Sequence, residues 1–310
     1  MPQPTPDPQP RDRPRGERTT GRSELAGNAR FAELSPEVGV LDQEALDAAL
    51  TDDADETLTL LVEMSRATDE ALRNQVRRLA PRLILEQTRR GQPRSAGVSR
   101  RRIRPAEDGG DIDLDRSMDR VLGARAEGRH PRLDELLVSD WARPELALCL
   151  VIDRSGSMNG ARLTTAAVAA AACASLAPRE NAVITFAARV DVLKPMNERR
   201  PPSETVATVL ALRGHGTTSL ADALGEARSQ LSRAGARRGV TLLLSDCRAT
   251  EETGAATAAS ALRELVILAP GDDTDAAEQL ARSSGARWAP VHSVLDVPRL
   301  LNSMMADDRV

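Results

Sequence analysis

Between residue 145 and the C-terminus, short apolar runs alternate with segments of helical periodicity, and this alternation restricts the possible folds more than any other feature. The clearest run covers residues 146–152, is apolar throughout and ends at Asp153, which is typical of a strand buried on both faces. Comparable runs follow at residues 182–186, 240–244 and 265–268. Strands that alternate with helices predict an α/β fold, with a doubly wound and mostly parallel sheet covered by helices on both faces.

Two further segments complete the predicted sheet. Residues 189–193 follow the second run too closely for a helical crossover, so we expect them to pair with it antiparallel as a hairpin. Residues 288–292 form a last short strand, which makes six strands, one of them antiparallel. Helices are predicted at residues 162–176, 203–212 with Ser203 as the N-cap, 219–234, 255–263, 273–283 and 297–304.

The N-terminal part of the chain has a different composition. Residues 1–22 are rich in Pro, Arg and Gly and are predicted to form a disordered tail. Residues 23–91 have helical signals: Asp69 can cap a helix that runs past Leu72, and Pro81 either kinks this helix or starts the next one. We predict a small helical region here. Two roles are open for it, a solubilising region or a module that docks a partner, and we favour docking.

Residues 92–144 are predicted to be a basic linker and a lead-in segment to the main domain, residues 145–310. Between residues 89 and 104 arginine recurs without any acidic residue, and Gly, Pro and Ser are interleaved. No aromatic residue lies among these arginines to stack on bases, so a solvated linker is favoured over one that binds nucleic acid.

Charge and cysteine usage narrow the class of protein further. The chain has 42 basic and 46 acidic residues, a net charge of −4, which is not the balance of a nucleic-acid binder. Cys149, Cys173 and Cys247 are odd in number and lack C-x-x-C spacing, so we expect buried thiols in a reducing compartment. The N-terminus lacks the apolar region of a secretory signal, and no apolar run reaches the roughly 20 residues that span a bilayer. These observations predict a cytoplasmic protein.

Polar residues follow two of the predicted strands at the point where each strand ends. Asp153, Ser155 and Ser157 occupy alternate positions after the first strand, and Asp246 follows the fourth. Thr218 lies between them in the sequence, after a glycine and just before a predicted helix. Ligands of doubly wound sheets bind at the carboxyl ends of the strands, and alternate side chains share one side of the backbone. We therefore expect oxygens from three chain segments to converge.

The chemistry of this residue set predicts a hard divalent cation. Mg²⁺ prefers oxygen ligands in octahedral geometry, and two carboxylates with three hydroxyls leave room for water and one open position. No His or Cys is placed to bind, which disfavours zinc and leaves Mn²⁺ and Ca²⁺ as the alternatives. A simpler explanation of Asp153, Ser155 and Ser157 is helix capping and turn formation, but it does not account for Thr218 and Asp246.

Three segments carry a resemblance to a known family: Asp153-x-Ser155-x-Ser157-Met158, Gly216-Thr217-Thr218-Ser219-Leu220 and Leu244-Ser245-Asp246. Together they resemble the metal-ion-dependent adhesion site of von Willebrand factor A (VWA) domains, over about residues 145–305. The resemblance implies that Asp153, Ser155, Ser157 and Thr218 bind the metal, and that Asp246 binds it directly or through water. Thr217 is the alternative at the threonine position, where the family's Gly-Thr-x-Leu spacing favours Thr218.

Two subgroups of that family resemble parts of this chain. Residues 242–250 resemble magnesium-chelatase D-type subunits, which usually have Gly where this chain has Cys247. Residues 111–122 resemble bacterial CoxE-like proteins. Both resemblances imply that the protein works beside a MoxR-type or related AAA+ ATPase.

The sequence does not favour catalysis. It has no G-x-x-x-x-G-K-[ST] phosphate-binding loop and no G-x-S-x-G around its candidate serines. A Ser157–His215–Asp246 triad is disfavoured because an aspartate held on a metal cannot also orient a histidine, and we expect His292 to be structural or solvated. We therefore predict a non-enzymatic adaptor that binds a partner's carboxylate through Mg²⁺. The alternatives are a non-catalytic subunit of a metal chelatase and, less favoured, an extracellular adhesion protein.

Overall fold

The computed structural model describes residues 19–91, 100–106, 112–142, 146–154, 160–214, 219–248 and 254–306. Within these ranges the chain forms a helical region, a two-stranded antiparallel sheet and a six-stranded sheet flanked by helices. The predicted tail at residues 1–18 lies outside the described residues.

The helical region is N-terminal, and aspartates cap the three longer of its five helices. Its helices are α1 (Arg22–Leu25), α2 (Phe31–Leu34), α3 (Gln43–Asp52), α4 (Ala54–Met64) and α5 (Glu70–Gly91). Asp42 and Asp53 cap α3 and α4 through their carboxylates. Asp69 accepts a hydrogen bond from the N–H of Leu72 at 3.2 Å, which confirms the predicted cap of α5. Pro81 lies inside α5, which continues past it as one helix.

One residue of the predicted disordered tail is held in place by backbone hydrogen bonds. Thr20, which we placed in the disordered tail, forms a β-bridge with Ala67. Its N–H donates to the carbonyl of Arg66 at 2.8 Å, and its carbonyl accepts from the N–H of Thr68 at 2.9 Å. These backbone bonds hold residue 20 against the turn between α4 and α5.

Residues 100–142 contain a strand pair and a helix. β1 (Arg100–Pro105) pairs antiparallel with β2 (Leu137–Ala142), and α6 (Leu114–Ala126) lies between them in sequence. The arginine-rich residues that we predicted as linker are thus partly a strand. Pairing with β2 satisfies the backbone groups of this segment, which a solvated linker would leave to water.

The six-stranded sheet confirms the predicted fold class. Its strands are β3 (Leu146–Asp153), β4 (Asn181–Phe186), β5 (Val190–Lys194), β6 (Arg238–Leu244), β7 (Leu265–Pro270) and β8 (Arg287–Val291). They lie in the order β5-β4-β3-β6-β7-β8. All neighbours are parallel except β4 and β5, which form the predicted antiparallel hairpin.

The helices that connect these strands have nearly the predicted bounds. They are α7 (Gly160–Leu176), α8 (Pro202–Leu210), α9 (Leu220–Ser232), α10 (Ala255–Ser260), α11 (Asp275–Ser284) and α12 (Asp296–Ala306). The prediction of Ser203 as the N-cap of α8 is wrong, because the helix starts at Pro202 and no side chain makes a capping bond. Proline at the first helical position has no N–H that needs an acceptor, so this start needs no capping side chain.

Apolar cores lie on both faces of the sheet. Alternate residues of β3 point to opposite faces, so Leu148 and Leu150 join one core while Cys149 and Val151 join the other. The first core extends through α7 and α12 into α4 and α5, whereas the second is covered by α9, α10 and α11. The N-terminal helices therefore share a core with one face of the sheet.

The strand order places a switch point between β3 and β6. The next two strands in sequence, β4 and β5, lie on one side of β3, whereas β6, β7 and β8 lie on its other side. The carboxyl ends of β3 and β6 thus border the crevice in which doubly wound folds bind ligands. None of the helices in the described ranges has both the length and the apolarity to cross a bilayer.

Candidate metal centre

Asp153 is the last residue of β3 and lies half-buried at the carboxyl end of the sheet. Ile152 of β3 lies opposite Leu244 of β6, so the next residues along each strand, Asp153 and Ser245, are neighbours. The hydroxyl of Ser245 donates a hydrogen bond to Oδ2 of Asp153 at 2.6 Å. This bond restricts rotation of the Asp153 carboxylate and holds it at the switch point.

The turn after β6 presents Asp246 beside this pair. Ser245 Oγ also accepts from the N–H of Cys247 at 2.8 Å, and Asp246 Oδ1 accepts from the N–H of Arg248 at 3.0 Å. Cys247 has a φ of 60°, a left-handed conformation that glycine adopts without steric cost. Side-chain bonds to the backbone therefore fix the turn in which Asp246 lies.

Asp153 and Asp246 line one cavity of about 350 Å³ at the carboxyl ends of β3, β6, β7 and β8. The cavity reaches the first turn of α7 and the loop between β8 and α12. Its polar lining also includes Arg162, Thr165, Ser245, Asp272, His292 and Ser293. The structure thus brings together two of the predicted ligands from segments that are far apart in sequence.

The remaining predicted ligands, Ser155, Ser157 and Thr218, lie outside the described residues, as do Thr217 and His215. The chain next to them is described and lies at the same edge of the sheet. The N–H of Arg154 donates to the carbonyl of Phe186 at 2.9 Å, and that of Ser219 donates to the carbonyl of Ala187 at 3.0 Å. Both bonds are at the carboxyl end of β4, the strand beside β3, so Arg154 and Ser219 lie at this edge of the sheet.

Sequence reasoning missed the contact between Ser245 and Asp153. Ser245 was quoted only as part of a motif, although aligning residues 146–152 with 240–244 as neighbouring strands would have placed it opposite Asp153.

His292, expected to be structural or solvated, is exposed at the rim of the cavity. Its ring lies over Gly271, where an added Cβ would come within 2.2 Å of His292 Nδ1, so a side chain at residue 271 would displace the His292 ring.

The arginines next to the candidate ligands pair with other acids. Arg154 forms an ion pair with Asp191, and Arg248 forms one with Asp273 at 2.8 Å. The arginines closest in sequence to Asp153 and Asp246 are thus paired with acidic residues outside the predicted ligand set.

The chemistry of the described residues fits a hard cation. Two carboxylates and the Ser245 hydroxyl supply oxygen, which Mg²⁺, Mn²⁺ and Ca²⁺ prefer. Burial raises the pKa of the neighbouring Cys247 thiol to about 12. Within the described residues no three His, Cys, Asp or Glu side chains are grouped to hold a metal. A complete site therefore needs further oxygens, such as the predicted hydroxyls.

A family model identifies the class of protein. Residues 77–301 match the model of the VWA domain containing CoxE-like protein family. The match covers well over half of the chain, and the chain belongs to this family. It begins within α5 and ends within α12, so it includes both sheets. No curated protein matches the chain.

The chain is similar to several solved structures at low sequence identity. A von Willebrand factor type A protein from Catenulispora acidiphila is 16% identical, with a TM-score of 0.43 over 55% of this chain and 43% of that one. An aerotolerance-related membrane protein from Bacteroides fragilis is 15% identical, with a TM-score of 0.43 over 53% of this chain and 100% of that one. The manganese-loaded TRAP protein of Plasmodium vivax is 15% identical, with a TM-score of 0.39 over 47% of this chain and 68% of that one. This chain spans less than half of the Catenulispora structure.

Membership of the family defines a general type of function. VWA domains of this kind are generally non-catalytic modules for metal-dependent adhesion or interaction with other proteins. They commonly bind a divalent metal ion.

Proposed function

We propose that this protein binds a carboxylate of a partner protein through a divalent cation held by Asp153, Ser155, Ser157, Thr218 and Asp246. The preferred ion is Mg²⁺, with Mn²⁺ and Ca²⁺ as alternatives. The observation that carries the proposal is the position of Asp153 and Asp246 on one cavity, at the ends of adjacent strands. Ligands of doubly wound sheets bind at such a point.

The carboxylates are held before any ligand arrives. Ser245 fixes one oxygen of Asp153, and the turn bonds around Cys247 and Arg248 fix Asp246. Side chains that are already ordered lose little conformational entropy when they bind. A divalent cation held by these residues would supply the positive charge that a partner's carboxylate binds.

The surroundings suit an acidic partner segment. Arg162 and His292 lie on the wall of the same cavity, and Arg162 adds a permanent positive charge there. Positive charge beside the site favours the approach of an acidic side chain and disfavours a basic one.

We extend the proposal to an adaptor that works with a MoxR-type AAA+ ATPase. Its support is membership of the CoxE-like family, together with the resemblance of residues 111–122 and 242–250 to proteins that work beside such ATPases. The ATPase would be either the protein whose carboxylate is bound or a second partner held elsewhere on the chain.

Calorimetric titration with MgCl₂ and MnCl₂ tests the metal site. We expect the wild-type protein to bind one equivalent, and Asp153→Ala and Asp246→Ala each to weaken binding by at least about 100-fold, because each removes a charged ligand. Asp272→Ala removes a carboxylate from the same cavity outside the ligand set and is the matched control. No uptake by the wild type, or equal loss in all three variants, would reject the site.

Affinity purification with and without EDTA tests the interaction. We expect a defined partner to be retained with Mg²⁺ and released by EDTA, and Asp153→Ala to retain none of it. Circular dichroism checks that this variant keeps its fold. A partner that stays bound in EDTA contradicts metal-dependent capture, and the absence of any AAA+ ATPase among the captured proteins contradicts the adaptor role.

A further inference from the structure

Large apolar side chains are concentrated on the surface of residues 112–133. Of the eight large hydrophobic side chains that are exposed in the described part of the chain, five lie in this stretch: Ile112, Leu114, Met118, Leu122 and Leu133. Leu114 is 67% exposed and Leu122 is 54% exposed. Single exposed apolar residues are common on protein surfaces, whereas a group of them indicates a surface that binds another molecule.

Three of these side chains form a stripe along α6. Leu114, Met118 and Leu122 are each four residues apart, so they lie on one side of the helix and are here called the α6 stripe. Ser117 is buried on a different side, where its hydroxyl accepts a hydrogen bond from the N–H of Leu137 in β2 at 2.9 Å. Helix α6 therefore packs on β2 through one side and exposes the α6 stripe on another.

The region around α6 has too small a core to cover the stripe itself. Among the side chains described at residues 106 and 112–138, the buried ones are Ala106, Ser117, Ala124 and Val138. The described elements on which α6 mainly packs are β2 and the turn at Leu133–Glu135. Regions with so few buried residues usually need a further contact, such as oligomerisation, for their stability.

The charges beside the stripe differ between the two ends of α6. Asp115 and Asp119 lie along its N-terminal half, and Arg125 lies in its last turn. None of these three side chains has an ion pair or a hydrogen bond among the described residues. The other two arginines of the helix, Arg116 and Arg120, lie on the side away from the stripe. An antiparallel helix pair brings the acidic end of one helix beside the basic end of the other, whereas a parallel pair places like charges together.

We propose that α6 pairs antiparallel with α6 of a second copy of this chain, with Met118 on the two-fold axis. The stripe has a leucine four residues before and after Met118, so Leu114 of each copy meets Leu122 of the other. Asp115 then faces the turn of the other helix that precedes Arg125, and the long arginine side chain points back along its helix toward this carboxylate. The same surface meets itself, as a two-fold symmetric dimer requires.

Sedimentation equilibrium of the full chain in the micromolar range tests the pairing. We expect a wild-type dimer, and we expect Met118→Glu to weaken it at least about 100-fold, because two carboxylates then meet at the centre of the contact. Val38→Glu is the matched control, since Val38 is 74% exposed in the N-terminal region and lies outside the stripe. This control should dimerise like the wild type. Both side chains are exposed, so neither change disturbs a core.

A charge exchange tests the antiparallel direction. Asp115→Arg and Arg125→Asp should each weaken the dimer about fivefold, because each removes an attraction between the copies and introduces a repulsion. The variant that carries both substitutions should recover most of the wild-type affinity, since the pair is restored with its charges reversed.

Disulfide formation between copies gives an independent measurement. Cys149, Cys173 and Cys247 are buried, so Met118→Cys introduces an accessible thiol at the two-fold axis. With diamide as the oxidant, this variant should form a covalent dimer on a denaturing gel. Val38→Cys should remain monomeric under the same conditions.

Three results would overturn the proposed pairing. A wild-type chain that is monomeric throughout the micromolar range excludes it. A dimer that Met118→Glu leaves intact also excludes it, because another surface must then hold the two copies together. If Met118→Glu separates the copies but the double charge variant is no tighter than either single variant, the antiparallel arrangement is wrong.

Discussion

The two faces of the six-stranded sheet are covered differently. On one face α7 lies between the sheet and a second layer formed by α4 and α5, and its residues 166–173 are buried on all sides. On the other face α9, α10 and α11 form a single layer, and each has exposed residues along its outer side. A helix that is apolar all round must be covered on both sides, whereas an amphipathic helix needs only one apolar neighbour.

This difference gives the two faces of the sheet different structural roles. On the covered face, where α4 and α5 overlie α7, Asp55 of α4 bonds to Ser293 and Leu295 beside the cavity that Asp153 and Asp246 line. On the open face, α9, α10 and α11 only complete the core of the sheet.

The largest expected effect is a charge placed in α7. Ala171→Glu buries an unpaired carboxylate between two layers and should lower the free energy of unfolding by more than about 4 kcal/mol. Ala276→Glu, on the partly exposed surface of α11, should change it by less than about 1 kcal/mol. Urea unfolding followed by circular dichroism measures both. Similar losses in the two variants would contradict the two-layer burial of α7.

The next effect concerns the second layer itself. Leu61→Ala removes a fully buried side chain of α4 and should cost about 3 kcal/mol, as in a main core. Leu280→Ala removes a side chain of α11 that is 8% exposed and should cost about 2 kcal/mol, because solvent already reaches part of it. Thermal and urea unfolding give the two values. A cost of Leu61→Ala well below that of Leu280→Ala would mean that α4 is only loosely attached.

A smaller effect is expected at the far end of α12, on the covered face. Glu264 pairs with Arg238 at 2.7 Å and with Arg287 at 3.2 Å, and both arginines donate to carbonyls in the last turn of α12. Glu264→Gln should lower the free energy of unfolding by about 1 kcal/mol, since the three side chains are about a quarter exposed. The hydrogen-exchange rates of the α12 amides should rise in the same variant. Unchanged exchange would show that these bonds do not hold the helix.

The smallest effect is expected on the outer surface of the open face. Glu278 and Arg282 of α11 form an exposed pair at 2.5 Å, four residues apart. Glu278→Gln should change the free energy of unfolding by at most about 0.5 kcal/mol, as is usual for such pairs in water. The measurement is urea unfolding at low and high salt. A loss above about 1 kcal/mol would show that the open face is more tightly organised than its exposure indicates.

Much of the fold could be predicted because its signals are local. The apolar runs gave the strands of the main sheet, and the short gap after residue 186 gave the antiparallel β5. The packing of α4 and α5 on α7 could not be read in this way, since it depends on which apolar faces meet across a long stretch of chain. One signal was nevertheless present: nearly every residue from 163 to 174 is apolar, which is typical of a helix with two covered sides.

The candidate site shows the same limit. Asp153 and Asp246 were predicted because each follows a strand. The Ser245 contact depends on the register that sets Ile152 opposite Leu244, and periodicity alone does not give the register of two parallel strands. The hydrogen bond from Arg66 to the Leu212 carbonyl is also long-range, because the two residues are separated by 146 positions in sequence, and no local pattern encodes it.

The most direct test of the metal centre is paramagnetic broadening of amide NMR signals by a small fraction of one equivalent of Mn²⁺. The amides of Arg154, Ser219 and Cys247 each follow one of the candidate ligands Asp153, Thr218 and Asp246 in sequence. We predict that all three broaden together and before the amides of exposed acidic residues such as Asp115 in α6. Broadening of only one of the three segments, or equal broadening at every acidic surface residue, would contradict a single cation site at the switch point.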